Sequence, residues 1–284
     1  METRAWGVWG ILAATLVASA SQAADKTFDR RFTVAPGGQL TLNAETGSVT
    51  VSGHAGNEVV IHAQLSGSDA FLSGLKITTE LTSSGVGITE RKAGASGLNW
   101  FGTSGEKVHF AIDVPNDYSI ELKTSGGDLE IRNVHGSVAM HTSGGNIDAA
   151  GLRGTTELGT SGGNVSVADS SGTVEAQTSG GDIDLRNVDA RVNAETSGGN
   201  VIAVVSSNRG LSLSTSGGSI SLQLPANVAA SIDARTNGGS VSSSLPLSRT
   251  EKSDRSHLRG AINGGGEQVT LQTSGGSIHI GPLN

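Results

Sequence analysis

The sequence predicts an all-β chain, a single-stranded parallel β-solenoid (β-helix) wound right-handed at about 18 residues per coil. Three observations carry that reading. Thr124-Ser-Gly-Gly127 recurs at Thr142, Thr160, Thr178 and Thr196, each eighteen residues after the last. It returns at Thr215 after nineteen residues, at Thr236 as Thr-Asn-Gly-Gly, and at Thr273. With Thr as position zero, apolar residues fall into columns: Leu129, Ile147, Val165, Ile183 and Val201 in one, Ile131, Ala149, Val167, Leu185 and Ala203 two residues further on. Finally, forty-two glycines, three percent aromatics and no cysteine describe neither an aromatic-rich globule nor a disulfide scaffold.

The spacing of two within each half-unit is the side-chain period of a strand. A unit therefore reads as strand, turn, strand, turn, with Val134, Leu152, Ser170 and Val188 at the second turn. One unit cannot bury its apolar row alone, but stacked units share a continuous core. Parallel crossovers favour the right hand. The Gly-Gly pair predicts a corner with positive φ, a conformation glycine adopts without steric cost. By alternation the corner Thr points inward, with its hydroxyl bonding along the stack. The next residue, Asp128, Asn146, Asn164, Asp182 or Asn200, points out.

Taken in order, residues 1–24 read as a signal peptide: Arg4, an apolar run from Trp6 to Val17, then small residues fitting small-x-small cleavage. That run is short for a membrane span, so no transmembrane segment is expected after cleavage. Residues 25–123 alternate without the eighteen-residue beat and read as irregular coils that start and cap the stack. Phe28, Phe32, Val34, Leu40 and Leu42 flank the turn Pro36-Gly37-Gly38, and residues 66–107, rich in Gly and Ser, read as a long loop. Residues 124–245 form the regular array. Residues 246–284 read as a loop insertion, carrying the charged run Arg249 to Arg259, followed by closing coils of the same solenoid.

The Phe-x-Val-x-Pro-Gly-Gly opening, Gly47-Ser-Val-Thr-Val51, the Val114-Pro115 turn, the Thr-Ser-Gly-Gly-(Asp/Asn) units and the closing Gly-Gly-x-x-Val-x-Leu-x-Thr-Ser-Gly-Gly-Ser-Ile form one pattern. Over most of residues 28–281 it resembles the bacterial putative-adhesin β-strand repeat family, a domain of unknown function related to autotransporter adhesin head domains. The resemblance implies a β-strand repeat fold and an adhesin label. It supplies no catalytic residues.

Candidate chemistry is sparse. Outward acids (Asp128 and Glu130, Asp148, Asp182 and Asp184, with Glu157, Glu175 and Glu195 on the second strand) raise a calcium reading, since Ca²⁺ takes six to eight oxygens. The G-G-x-G-x-D calcium repeat is missing, and Asn and Ser interrupt the column, so it reads as a solvated polar face. The seven His residues lack metal-ligand spacing. A polysaccharide-cleaving site needs convergent carboxylates in a walled cleft. Asp182, Asp184 and Asp189 are the nearest candidates, and tight coils offer few loops to build such walls. No cofactor, metal or catalytic residue is expected.

Two stretches offer partner contacts: Trp100 and Phe101, an aromatic pair on a glycine-flanked segment, and the cations Arg249, Lys252, Arg255 and Arg259. Their blander readings are a plug for an open solenoid end and a solvated loop. A formal net charge of −7 argues against nucleic acid. The sequence thus reads as an exported, non-enzymatic adhesin-like binding module, periplasmic or at the cell surface, engaging an envelope polymer, glycan or protein as a monomer or end-to-end oligomer. The alternatives are a periplasmic structural or assembly protein and, third, a carbohydrate-active β-helix enzyme.

Overall fold

The computed structural model describes residues 24–92 and 106–283. The expected signal peptide, but for Ala24, and the Trp100-Phe101 pair lie outside the described residues. Nearly everything described is strand. The N-terminal part holds β1 (Ala24–Thr33), β2 (Gln39–Ala44), β3 (Ser48–His54), β4 (Glu58–Gly67), a short helix α1 (Asp69–Gly74), β5 (Leu75–Leu81), β6 (Gly85–Lys92) and β7 (Lys107–Pro115). The regular part holds β8 (Ser119–Thr124), β9 (Leu129–Arg132), β10 (His135–His141), β11 (Ile147–Ala150), β12 (Arg153–Gly159), β13 (Val165–Ala168), β14 (Ser171–Thr178), β15 (Ile183–Thr196), β16 (Val201–Val205), β17 (Leu211–Thr215) and β18 (Ile220–Leu224). The C-terminal part holds β19 (Ala230–Thr236), β20 (Val241–Ser243), β21 (Arg249–Ser253), β22 (His257–Ile262), β23 (Gln268–Thr273) and β24 (Ile278–Pro282).

These strands make two mostly parallel faces, and β15 runs through both with a register irregularity between Arg186 and Val188. The first face runs β1, β4, β7, β3, β9, β11, β13, β15, β16, β18, β24, β20. The second runs β5, β6, β2, β8, β10, β12, β14, β15, β17, β23, β19, β22, β21. Equivalent residues stack on one another: Leu129 on Ile147, Ile147 on Val165, Val165 on Ile183, Ile183 on Val201. All five are fully buried, as are Val134, Leu152 and Val188 at the second turn. The alternation that the columns predict is therefore the alternation between core and solvent.

Each corner Thr also points inward. Thr160 donates to the Gly145 carbonyl at 2.8 Å and accepts the Gly163 amide at 3.3 Å, and the same pair of bonds recurs at Thr142, Thr178, Thr196, Thr215, Thr236 and Thr273. One hydroxyl thus ties its own corner to the next coil, which is what a buried polar group needs.

The glycine expectation needs correcting. None of the paired corner glycines has positive φ. The second of each pair is required by close approach instead: a Cβ on Gly163 would meet the Gly145 carbonyl oxygen at 2.0 Å, and one on Gly199 would meet that of Gly181 at the same distance. Positive φ belongs to the opposite corner, where Asn133, Gly151, Asp169 and Asn187 stack with φ of 58°, 67°, 50° and 52°. Asn and Asp tolerate this region because their short polar side chains bond locally. Here Asn187 Nδ2 donates to Asp169 Oδ1 at 2.6 Å along the stack.

Three further expectations fail. Residues 66–92 are not loop: they finish β4, form α1 capped by the Ser68 hydroxyl on Phe71 N–H, and pair β5 with β6 as a hairpin. Alternation in Leu75–Leu81 is hidden by its edge position, where Lys76, Thr78 and Glu80 face solvent. The charged run is not a loop either, because β21 and β22 form an antiparallel hairpin on β19. Lastly, the coils are not stacked in chain order. The final coil, β23–β24, lies between the coil β17–β18 and the coil β19–β20. At the other end, β2–β3 lies between β6–β7 and β8–β9.

Candidate functional site

The outward side chains of the faces repeat at the strand spacing of about 4.8 Å. On the first face Glu130, Asp148, Ser166, Asp184 and Ile202 share one column. On the second, Glu121, Ala139, Glu157, Glu175, Asn193 and Ser212 do so. Four of these six acids, Glu121, Glu130, Glu157 and Asp184, have a cationic or imidazole partner. Arg132 pairs with Glu130 at 2.6 Å and Arg186 with Asp184 at 2.6 Å, each two residues along its own strand. Burial, then the neighbouring Glu130 and Asp128 charges, push the Asp148 carboxyl up from its ordinary value.

The Asp/Asn row beside the corner is a backbone-capping ladder. Asp128 Oδ1 accepts the Asn146 amide at 2.7 Å, Asn146 Oδ1 that of Asn164 at 2.9 Å, Asn164 Oδ1 that of Asp182 at 2.8 Å, and Asp182 Oδ1 that of Asn200 at 2.6 Å. Asn serves as well as Asp because each rung asks only for an acceptor oxygen. That explains the mixed composition that interrupts the calcium reading. Asp189 accepts from Arg209 and Ser207, which hold its carboxyl down at about 2. Among the described residues no group of three or more His, Cys, Asp or Glu could hold a metal ion.

Of the expected contact residues, Arg249, Lys252, Arg255 and Arg259 lie on or beside the terminal hairpin. Glu251 gathers two of them, Arg259 at 3.1 Å and Arg249 at 3.8 Å, while Lys252 faces Asp254 at 3.5 Å. Arg255 lends its carbonyl to the Val241 amide at 2.9 Å. The stretch is an edge strand with a bulge between Thr250 and Lys252, on which two acids partly offset four cations. Charge and bulge both discourage another strand from pairing there.

A cleft of about 580 Å³ lies at the corner of the coil β2–β3. Residues 45–48, Phe71, Lys92, residues 106–109 and residues 125–128 line it. Lys92 Nζ sits 3.0 Å from Glu106 and 4.9 Å from the Phe71 ring centroid, and Ser48 Oγ lies 3.0 Å from His109 Nδ1. Behind the cleft, Glu90 is 1% exposed, with Oε2 accepting the amides of Glu45 (2.7 Å) and Thr46 (3.0 Å). Burial pushes its carboxyl up, against those two amides, which pull it down. Glu90 stands in the corner-Thr column, across from Ala44, and supplies the acceptors that another coil supplies elsewhere. The cleft wall offers the Ser48 hydroxyl, the His109 imidazole and the Lys92–Glu106 pair beside the Phe71 ring. A hydrolytic constellation also needs a third group orienting the base, and His109 Nε2 has no such partner among the described residues. The sequence does not signal this cleft, because Ser48 and His109 meet only through the out-of-order pairing of β3 with β7.

The model of the Toastrack DUF4097 family matches residues 39–281. The chain belongs to that family. One of the similar solved structures has a TM-score above 0.5 and shares the fold. A putative adhesin from Bacteroides fragilis superposes with a TM-score of 0.51 at 14% identity, covering 92% of this chain and 99% of that one. A putative adhesin from Parabacteroides distasonis gives 0.43 at 11% identity, covering 91% and 97%. A putative lipid binding protein from the same species gives 0.43 at 12% identity, with the same coverage. No curated protein sequence matches the chain. Among the described residues, no helix of the toastrack chain is long and apolar enough to cross a membrane.

Proposed function

We propose that this toastrack chain is an exported, non-enzymatic, adhesin-like binding module that engages an envelope polymer, glycan or protein through its repetitive faces. One observation carries the reading: three of its four sheet edges end in antiparallel strands, the fourth is only three residues long, and its faces are open. At the N-terminal end β4 and β1 cover the first face, and β5 covers the second, all antiparallel. At the other end β22 and β21 cover the second face, and β20 ends the first after three residues. Arg30, Arg31, Lys76, Glu80, Arg249 and Lys252 are exposed on the outermost strands. An end-to-end assembly protein needs the opposite, bare parallel edges. Regularly spaced side chains on the faces instead supply many weak contacts and hence avidity. The adhesin names of structural neighbours agree with this reading.

The rest of the organisation follows the same proposal. Residues 1–24 direct export. Residues 25–123 start the stack, 124–245 form its regular body and 246–284 complete it. The coil winds right-handed with about 18 residues per turn. Trp100 and Phe101 add an aromatic contact.

The test has two arms. Protease digestion on intact cells, compared with opened cells, reports whether the protein is at the surface or in the periplasm; protection in both places sinks export. Sedimentation of the purified chain with isolated envelope polysaccharide, for wild type and for Glu157→Lys/Glu175→Lys, reports face binding. Co-sedimentation weakened by the double substitution supports the proposal, and salt-resistant filaments of the pure chain would favour the assembly reading.

A further inference from the structure

The eight corners differ at one place that changes their chemistry. Where the others carry Ser, the corner after Thr236 carries Asn237 followed by Gly238, and the only other Asn-Gly pair in the chain is Asn263-Gly264. An asparagine side chain before glycine is open to attack by the following backbone nitrogen, because glycine has no side chain to obstruct the approach. Whether attack occurs depends on how firmly the fold holds the amide and that nitrogen. The two pairs are held very differently.

Asn263 is pinned. Its Nδ2 donates to the carbonyls of Ala226 at 2.9 Å and Val228 at 2.8 Å, and the Gly264 amide donates to Ser248 Oγ at 2.9 Å. Asn237 is exposed, with no side-chain hydrogen bond among the described residues. Its Gly238 nitrogen is also free of the corner ladder. Further in, five equivalent amides donate to the serine carbonyl of the neighbouring coil, Gly162 to Ser143, Gly180 to Ser161, Gly198 to Ser179, Gly217 to Ser197 and Gly275 to Ser216, whereas Gly126 and Gly144 near the N-terminal end make no such bond among the described residues. Gly238 makes no such bond among the described residues. This corner belongs to the outermost coil, and the strand after it, β20, has three residues and pairs with β24 on one side only. Such edges open locally more readily than the stack interior.

We propose that Asn237 is a site of spontaneous deamidation and isoaspartate formation, and that Asn263 is protected by its hydrogen bonds. In the first step the Gly238 nitrogen attacks Asn237 Cγ. The N–Cγ bond forms, the Cγ–Nδ2 bond breaks, and ammonia leaves with the proton from the Gly238 amide. Water then opens the succinimide ring at either carbonyl, giving an aspartate with the normal backbone linkage or an isoaspartate linked through the side chain. The isoaspartate inserts a methylene into the backbone of a corner without slack. Thr236 Oγ1 donates to the Gly276 carbonyl at 2.7 Å, and a Cβ on Gly239 would lie 2.2 Å from the same oxygen. The product therefore loosens the outer coil and leaves the inner stack intact.

The test is peptide mapping by mass spectrometry of the full chain aged at mildly alkaline pH, with methylation by an isoaspartyl methyltransferase as the isoaspartate probe. The same ageing in strong denaturant gives the reference rates without a fold. Native protein should modify Asn237 many-fold faster than Asn263, and the two rates should converge in denaturant. Hydrogen exchange of the aged sample should rise over residues 236–243 and stay unchanged over 142–205. Asn237→Ser should remove the isoaspartate signal and keep the fold. Native rates that are equal, or faster at Asn263, overturn the assignment. So does an Asn237 that stays intact when native yet reacts in denaturant.

Discussion

Gly181 faces the carbonyl of Gly163 so closely that a methyl group on its Cα would lie 2.0 Å from that oxygen. The two residues hold equivalent places in neighbouring coils, so their contact sets the distance between coils at the corner. Contacts this short cannot be relieved by a side-chain rotation, because both partners are backbone.

Gly181→Ala should therefore cost more than about 3 kcal/mol, above the usual range for overpacking. Gly144→Ala is the matched control, since a Cβ there meets nothing within 4 Å. Urea midpoints of the two variants check this. Equal losses would contradict the close-approach account of the glycine pair.

Thr178→Val keeps the shape of the side chain and removes one donor and one acceptor, stranding the Gly163 carbonyl and the Gly181 amide. The expected loss is about 1–3 kcal/mol, the cost of unsatisfied buried groups. Thr178→Ser should recover most of it. If valine is neutral, the hydroxyl is not a tie between coils.

Ile183 is fully buried between Val165 and Val201. Ile183→Asp places an unpaired carboxyl mid-stack and should cost above about 4 kcal/mol, in the range kept for such burials. Circular dichroism on heating measures it. A cooperative transition at the wild-type temperature would remove the column from the core.

Two carboxylates should respond to pH with opposite sign. Arg209 and Ser207 lower Asp189 from 3.8 to about 2, so its contribution is present above 3.8 and is lost as pH falls through about 2. Burial raises Glu90 above 4.5, so its folded form binds a proton more readily than the unfolded chain. Stability linked to Glu90 is then greatest below 4.5 and declines as pH rises through the folded value. Relative to wild type, Glu90→Gln should gain stability as pH rises from acidic to neutral. A difference that stays flat with pH excludes this linkage.

Replacing Arg249 and Lys252 together with Val should remove both cations that guard the β21 edge. Size-exclusion chromatography should then show concentration-dependent self-association, absent in the parent chain. A monomeric double variant would mean that the bulge after Thr250 blunts the edge without the charges.

The sequence by itself determined the two faces and their core. A strand repeats every two residues, and a constant step stacks each residue on its own kind, so Leu129, Ile147, Val165 and Ile183 declare both their pairing and their burial. Tertiary structure decided the order of the stack. Thr236 and Thr273 offer the same corner to a neighbour, so the repeat carries no instruction that the coil of Thr273 lies inside that of Thr236. It also decided the antiparallel caps and the cleft between Ser48 and His109, because strands such as β5 and β21 lie at the edge, where solvent replaces half of the burial pattern. The glycine pair belongs to both levels. Its presence was legible, but its cause, a carbonyl from the next coil, exists only once two coils are packed together.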